Sequence, residues 1–295
     1  MAIITSCIAI ILFARLDGAP PADRQARGDG ALFFFIQLSD PQLGFFEEDR
    51  GFKKESENLA RAVAHINRLR PAFVVVTGDL INRSGDAEQM GEYLRLVRGV
   101  SPGIPLHSVP GNHDLGNSPT PASIAWFRRM VGPDHGAFTV EGWRFLFLDS
   151  TVLVAPKDCP RESEEERRWL REELARARDR SLPVVIFEHH PPFLKEPGEA
   201  ATYFNFPAEL RSQVLGELRR SGVRAVFAGH LHDCAEGRDG ELQVVTSGPV
   251  GKPLGKVPSG LRIVWVYRDR LESRYYGLDA VPERVRLAGP VRRRL

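Results

Sequence analysis

Residues 73–82 read Phe73-Val74-Val75-Val76-Thr77-Gly78-Asp79-Leu80-Ile81-Asn82. The first five are aromatic or β-branched and offer no polar side to solvent, which predicts a short strand buried on both faces. The run then breaks at a glycine and a carboxylate. The same grammar recurs four times. Leu32 to Leu38 leads into Ser39-Asp40-Pro41-Gln42, and Leu106 to Val109 into Gly111-Asn112-His113-Asp114. Val184 to Phe187 leads into Glu188-His189-His190-Pro191, and Ala225 to Ala228 into Gly229-His230-Leu231-His232. Amphipathic segments separate these runs and predict helices over Glu55 to Leu69, Ala87 to Val97, Ser123 to Met130, Glu164 to Ala177 and Ala208 to Ser221. A second set of runs alternates more and predicts antiparallel or edge strands: Ala137 to Val140, Arg144 to Leu148, Leu242 to Thr246, Leu261 to Tyr267 and Glu272 to Tyr276. The fold class that follows is α/β, with two facing mixed β-sheets flanked by helices.

All five polar blocks fall just past buried strands, where open α/β sheets carry their ligand-binding loops. They offer carboxylate, carboxamide and imidazole but no thiolate, a donor set suited to Zn, Fe or Mn. One ion would be saturated by three or four of these groups, so the blocks point to two divalent or trivalent ions. Asp79 is the natural bridge between them, and Gly78 before it would let backbone approach metal closely. Taken singly the residues are less telling. Asp40 could cap the next segment, and His230 and His232 could be a surface pair. Their company in five blocks reverses both readings. Asn82 reads better as a strand terminator through local backbone hydrogen bonds, His190 as a packed or supporting histidine, and Tyr203-Phe204-Asn205-Phe206 as lid or core packing. His65, His107 and His135 have no motif around them. Three long segments, Phe45 to Glu55, Ala155 to Glu164 and Leu194 to Phe206, are expected to form the rim of the site.

The chain of 295 residues is 42% apolar and 26% charged, an ordinary globular balance for one large domain. Its formal charge of +2, from 40 basic and 38 acidic residues, gives no global field toward nucleic acid, so any substrate anion must be held locally. The expected organisation is an apolar segment and linker over 1–30, one catalytic domain over 31–279 and a solvated basic tail over 280–295 that contains Arg284, Arg286, Arg292, Arg293 and Arg294. The apolar run at 1–14 has the length of a signal core or N-terminal anchor, which favours export or anchoring over the cytoplasm and leaves no other membrane segment. Three cysteines, Cys7, Cys159 and Cys234, make no disulfide framework, although a Cys159 to Cys234 bridge stays open if the chain is exported.

The blocks Gly78-Asp79-Leu80-Ile81-Asn82, Gly111-Asn112-His113-Asp114 and Gly229-His230-Leu231-His232, in this order, resemble the calcineurin-like metallophosphoesterase superfamily, whose pattern runs DxH, GDxxN, GNHD, H and GHxH. The resemblance runs from Phe33 to Leu278. It departs in the first block, where Gln42 stands at the usual histidine, and together with Tyr203 to Phe206 and Arg274 to Asp279 this is similar to a serine/threonine protein phosphatase branch that carries glutamine there. The resemblance implies the four-layer metallophosphatase sandwich. It implies one metal held by Asp40, Gln42, Asp79 and His232 and a second by Asp79, Asn112, His189 and His230, with His189 preferred to His190. His113, with Asn112, would bind the phosphate and act as general acid, and Asp114 would orient its ring. The implied reaction is hydrolysis of a phosphate monoester, on a small molecule or a phosphoprotein, by a metal-bridging hydroxide. The alternatives are a phosphodiesterase using the same site and a metal-binding module without turnover. The amide oxygen of Gln42, harder and weaker than imidazole, would favour Mn or Mg over Zn.

Overall fold

The computed structural model describes residues 30–287. Along the chain these form β1 (Phe33–Leu38), α1 (Lys53–Leu69), β2 (Val74–Thr77), α2 (Ala87–Val97), β3 (Leu106–Val109), α3 (Asn112–Leu115), α4 (Pro121–Met130), β4 (Gly136–Val140) and β5 (Trp143–Phe147). Then come α5 (Ser150–Val154), a 3-10 turn at Pro156–Asp158, α6 (Pro160–Asp179), β6 (Val184–Phe187), α7 (Ala208–Arg220), β7 (Val223–Ala228), β8 (Ala235–Asp239), β9 (Leu242–Thr246), β10 (Gly260–Val266) and β11 (Leu271–Gly277). One sheet has the order β11-β10-β1-β2-β3 and the other β4-β5-β6-β7-β9-β8. Both are mixed. In the first, β1, β2 and β3 run parallel, β10 runs antiparallel to β1, and β11 antiparallel to β10. In the second, β5, β6, β7 and β9 run parallel between two antiparallel edge strands.

Side chains on a strand alternate between faces, so each buried strand feeds two cores. Phe33 and Phe35 of β1, Val75 of β2, Phe145 of β5, Phe187 of β6 and Phe227 of β7 meet in a core shared by the two sheets. Phe35 is its hub, with ring centroids 4.8 Å from Phe73, 5.4 Å from Phe187 and 5.6 Å from Phe227. The other faces, with Phe34, Ile36, Val74, Val76, Leu146 and Ile186, pack beneath helices. On α1 the buried Leu59, Ala62, Val63, Ile66 and Leu69 follow the helical repeat, which is why this segment covers a sheet. The helix α2 starts at Asp86, whose carboxylate accepts from the backbone N–H groups of Glu88 and Gln89, both at 3.0 Å.

The structure corrects several expectations. β5, β9 and β10 are interior strands, each pairing antiparallel with at least one neighbour as expected, but β10 has no wetter face: every one of its residues is buried because its two faces pack into the two cores. β8, Ala-Glu-Gly-Arg-Asp, has no apolar pattern; it exists because its backbone pairs with β9 at the sheet edge. The C-terminal segment does not become a solvated tail at residue 280. Val281 is buried, Arg68 holds the carbonyl of Pro282 at 3.0 Å, and the carbonyl of Arg286 accepts from Trp265 Nε1 at 2.9 Å. Cys159 and Cys234 are free, so the bridge between them does not form. The apolar segment to Asp29, with its reading as signal or anchor, and Arg292, Arg293 and Arg294 lie outside the described residues. Among those described, no helix is long and apolar enough to cross a membrane.

His135, silent in the sequence, joins α4, β4 and α6. Its Nδ1 lies 2.9 Å from Glu166 Oε2 and 3.1 Å from Asp134 Oδ1. Burial opposes its charge, but the two carboxylates outweigh burial and raise its pKa to about 10. A histidine pKa raised on folding stabilises the native state fully below the unfolded value of about 6.5 and loses that contribution as pH rises through the folded value. His135→Gln should therefore cost more unfolding free energy at pH 6 than at pH 10, measured by denaturant titration; equal losses at both would contradict the ion pair.

Candidate metal centre

The parallel strands of both sheets point the same way, so the polar blocks that follow β1, β2, β3, β6 and β7 meet at one end of the sandwich. Gln37 on β1 ties the sheets together there, its Nε2 donating to Thr77 Oγ1 and to the carbonyl of Ala228, each at 3.0 Å. The chain then turns sharply. Asp40, Gln42, Asp79, His230 and His232 have φ of 47°, 39°, 49°, 69° and 56°, five of the ten described non-glycine residues with positive φ. Each such residue costs about 1–2 kcal/mol. Strain of this kind concentrates where geometry serves function. Gly78, at φ +84°, has its own reason: an added Cβ would sit 2.4 Å from His189 Nδ1. Its missing side chain makes room for the His189 ring rather than for an ion.

All seven expected ligands are buried, while His113 is half-exposed. Asp40, Asp79 and His232 present donor atoms within 4.8 Å of one another, as do His189, His190 and His230. Asp79 joins the groups. Its Oδ1 accepts from the His113 backbone N–H at 2.9 Å, and its Oδ2 lies 3.3 Å from His189 Nε2. His189 Nε2 is also 3.1 Å from Asn112 Oδ1, and His232 Nε2 is 3.5 Å from Asp40 Oδ1. Two donors each about 2.1 Å from a shared cation stand roughly 3.0–3.4 Å apart, the spacing seen here.

The partners of these side chains decide between a metal site and an ordinary polar cluster. His189 Nδ1 meets the carbonyl of Thr77 at 2.9 Å, His230 Nε2 that of Tyr203 at 2.8 Å and His232 Nδ1 that of Lys252 at 2.7 Å. A carbonyl on one ring nitrogen fixes the N–H there and leaves the other nitrogen as a lone pair, the usual support of a metal-ligating histidine. His190 differs, with Nδ1 2.9 Å from the Ser150 hydroxyl, and this favours His189 as the ligand. The Nδ2 of Asn112 is occupied by Asn117 Oδ1 and the Tyr203 hydroxyl, both at 3.0 Å, so its oxygen turns to His189. Gln42 Oε1 is buried with no hydrogen-bond partner. A buried acceptor without a donor is costly, and a cation satisfies it. The residues fit two ions.

Electrostatics agree. Burial would raise Asp79, yet His189 and its neighbours hold it well below the usual carboxylate range, while burial raises Asp40. Burial opposes charge on His189, but Asp79 and Asp40 keep its pKa up at about 9; a proton there is the crude substitute for a cation. Burial lowers His230 to about 3, leaving a neutral ligand.

Asp114 departs from its expected role. Its carboxylate accepts from the backbone N–H groups of Gly111 at 2.8 Å, Leu80 at 3.0 Å and Ile81 at 3.1 Å, splinting two ligand loops together. Burial, then the charge of Asp79, raise its pKa to about 8. The ring of His113 is held instead by the carbonyl of Asn82, 2.8 Å from Nδ1. Sequence reasoning also missed Phe45 as a particular contact; its ring packs edge-on against His232 at 5.3 Å. An aromatic in an expected rim segment was its only signal.

Residues 35–234 match the calcineurin-like phosphoesterase family. The chain belongs to this family. The phosphoesterase is 38% identical to the serine/threonine-protein phosphatase CPPED1 of Bos taurus over 268 residues, 85% of this chain and 86% of that protein. It is 36% identical to the Homo sapiens CPPED1 over 281 residues, 90% and 89% of the two chains. Its fold is similar to that of a dimetal phosphatase from Danio rerio, at a TM-score of 0.60 and 19% identity, over 84% of this chain and 97% of that one. The protein is a hydrolase acting on phosphate esters, with a site for two metal ions. Because ions bind the native ligand set and not the unfolded chain, chelation should lower the melting temperature and restored Mn2+ at about 100 times its Kd should add roughly 2.7 kcal/mol for each site it fills. Calorimetry with and without chelator reads this, and an unchanged transition would argue against the site.

Proposed function

We propose that the phosphoesterase hydrolyses phosphate monoesters on serine and threonine side chains. The observation that carries this is its likeness to CPPED1 phosphatases along nearly the whole chain, on a site whose donors suit two cations. Bound, the ions would supply positive charge for the phosphoryl oxygens and an acidified water. The chain's own residues do the rest. The Asn112 amide and the His113 ring border the phosphoryl position. With Nδ1 held by the Asn82 carbonyl, the proton on His113 Nε2 is the one available to the departing alcohol oxygen. A cavity of about 280 Å³ opens beside Asn112 and is lined by Val154, His190, Tyr203 and Pro207, with no charged side chain on its wall. A neutral alcohol bearing a short chain suits it better than a charged one.

The amide at Gln42 points to Mn at the first site, with Fe or Zn at the imidazole-rich second. Turnover of a phosphoseryl peptide and p-nitrophenyl phosphate against bis(p-nitrophenyl) phosphate tests the reading. Both monoesters should be preferred; hydrolysis of the diester alone would remove the claim.

A further inference from the structure

A carboxamide at position 42 carries a problem that an imidazole would not. Its two ends have nearly the same shape and opposite polarity, and only the oxygen attracts a cation. Nothing in the ring of ligands decides which end faces inward. Three residues behind it do. Asp49 Oδ1 can only accept, and it takes Asn82 Nδ2 at 2.9 Å and Gln89 Nε2 at 2.8 Å. Asn82 is thereby turned so that its Oδ1 faces Gln42, where it accepts from Nε2 at 3.1 Å. The only arrangement left sends Gln42 Oε1 the other way, to the buried position where it has no partner. Gln89 cannot flip either, because its Oε1 accepts from the backbone N–H groups of Asn82 and Arg83, both at 3.0 Å.

We infer that Asn82, anchored by Asp49 and Gln89, is a positioning residue that aims the amide oxygen of Gln42 at the first metal site. The inference rests on Gln42 being a ligand. Polarity passes from one carboxylate through two amides: reversing either amide sets oxygen against oxygen in the relay, and reversing Gln42 also turns an NH2 group toward the ion. The side chain of Asn82 does this work, whereas its contact to His113 is through the main chain, so the two can be tested apart.

The test is a calorimetric Mn2+ titration of metal-stripped protein. The wild type should bind two ions. Asn82→Ala should weaken one of them by about 10–100-fold, as loss of an outer partner of a ligand does, and leave the other unchanged. The double variant Asn82→Ala with Gln42→Ala should bind no more weakly than Gln42→Ala alone. Asp49→Ala removes the one oxygen that accepts from both Asn82 and Gln89, so it should weaken the same ion, and combining it with Asn82→Ala should weaken that ion no further than Asn82→Ala alone, as coupling between neighbours requires. Fewer than two ions on the wild type would overturn the ligand role and the inference with it. Wild-type binding by Asn82→Ala, equal weakening of both ions, or multiplied losses in either double variant would overturn the inference alone. Should Asn82→Ala fail to fold, a folded Asp49→Ala protein that binds both ions as the wild type does would overturn the inference in its place.

Discussion

Asp79→Asn should abolish turnover, by at least about 10³-fold in kcat, and lower the metal content. Asp79 lies between the two ligand groups, with one oxygen held by the His113 backbone and the other 3.3 Å from His189 Nε2. On the proposed ligand set the substitution would remove the one anion shared by both ions, and whichever end of the new amide faced inward, one site would receive an NH2 group in place of an oxygen. Because the His189 charge is sustained first by Asp79, its pKa should also fall from about 9 in the metal-free protein. Kinetics with metal analysis on the same preparation decides the matter. A variant that keeps two ions and a tenth of wild-type activity would show that Asp79 is not the shared donor.

His113→Ala should behave in the opposite way toward metal. The side chain is half-exposed at the mouth of the site and its ring is bonded to Asn82, so both ions should stay while turnover drops by about 10²–10⁴-fold, the usual worth of general acid catalysis. The loss should depend on the substrate. p-Nitrophenolate leaves without a proton and needs little help, whereas a serine alkoxide does. The deficit should be largest on a phosphoseryl peptide and smallest on p-nitrophenyl phosphate. Equal deficits on both would remove His113 from proton transfer, and metal loss matching that of Asp79→Asn would make it a support of the ions.

The five polar blocks were legible because two physical constraints coincide in them. A strand buried on both faces must be a continuous apolar run, and metal chemistry admits few residue types, so Asp40, Asp79, Asn112, His189, His230 and His232 announce themselves where such runs end. β8 was not legible, since an edge strand can be held by backbone hydrogen bonds alone and needs no apolar side chain. Asp114 misled for a related reason. Its position beside His113 suggested a contact with that ring, but adjacent side chains on a helical turn diverge, and its carboxylate turned to the backbone of the preceding loop.

The amino-acid sequence by itself determined the kind of fold, the candidate donor residues and the reaction class, because periodicity and residue chemistry are local properties of the chain. Only the tertiary structure decided which candidate donors stand close together, that His189 rather than His190 has the carbonyl support of a ligand, and that Gln42 Oε1 faces away from Asn82. These depend on pairings such as His189 with Thr77 and Asn82 with Asp49, between residues far apart in the chain. Such pairings are set by how two sheets stack and by left-handed turns at Asp40, Asp79 and His230, which residue types alone do not encode.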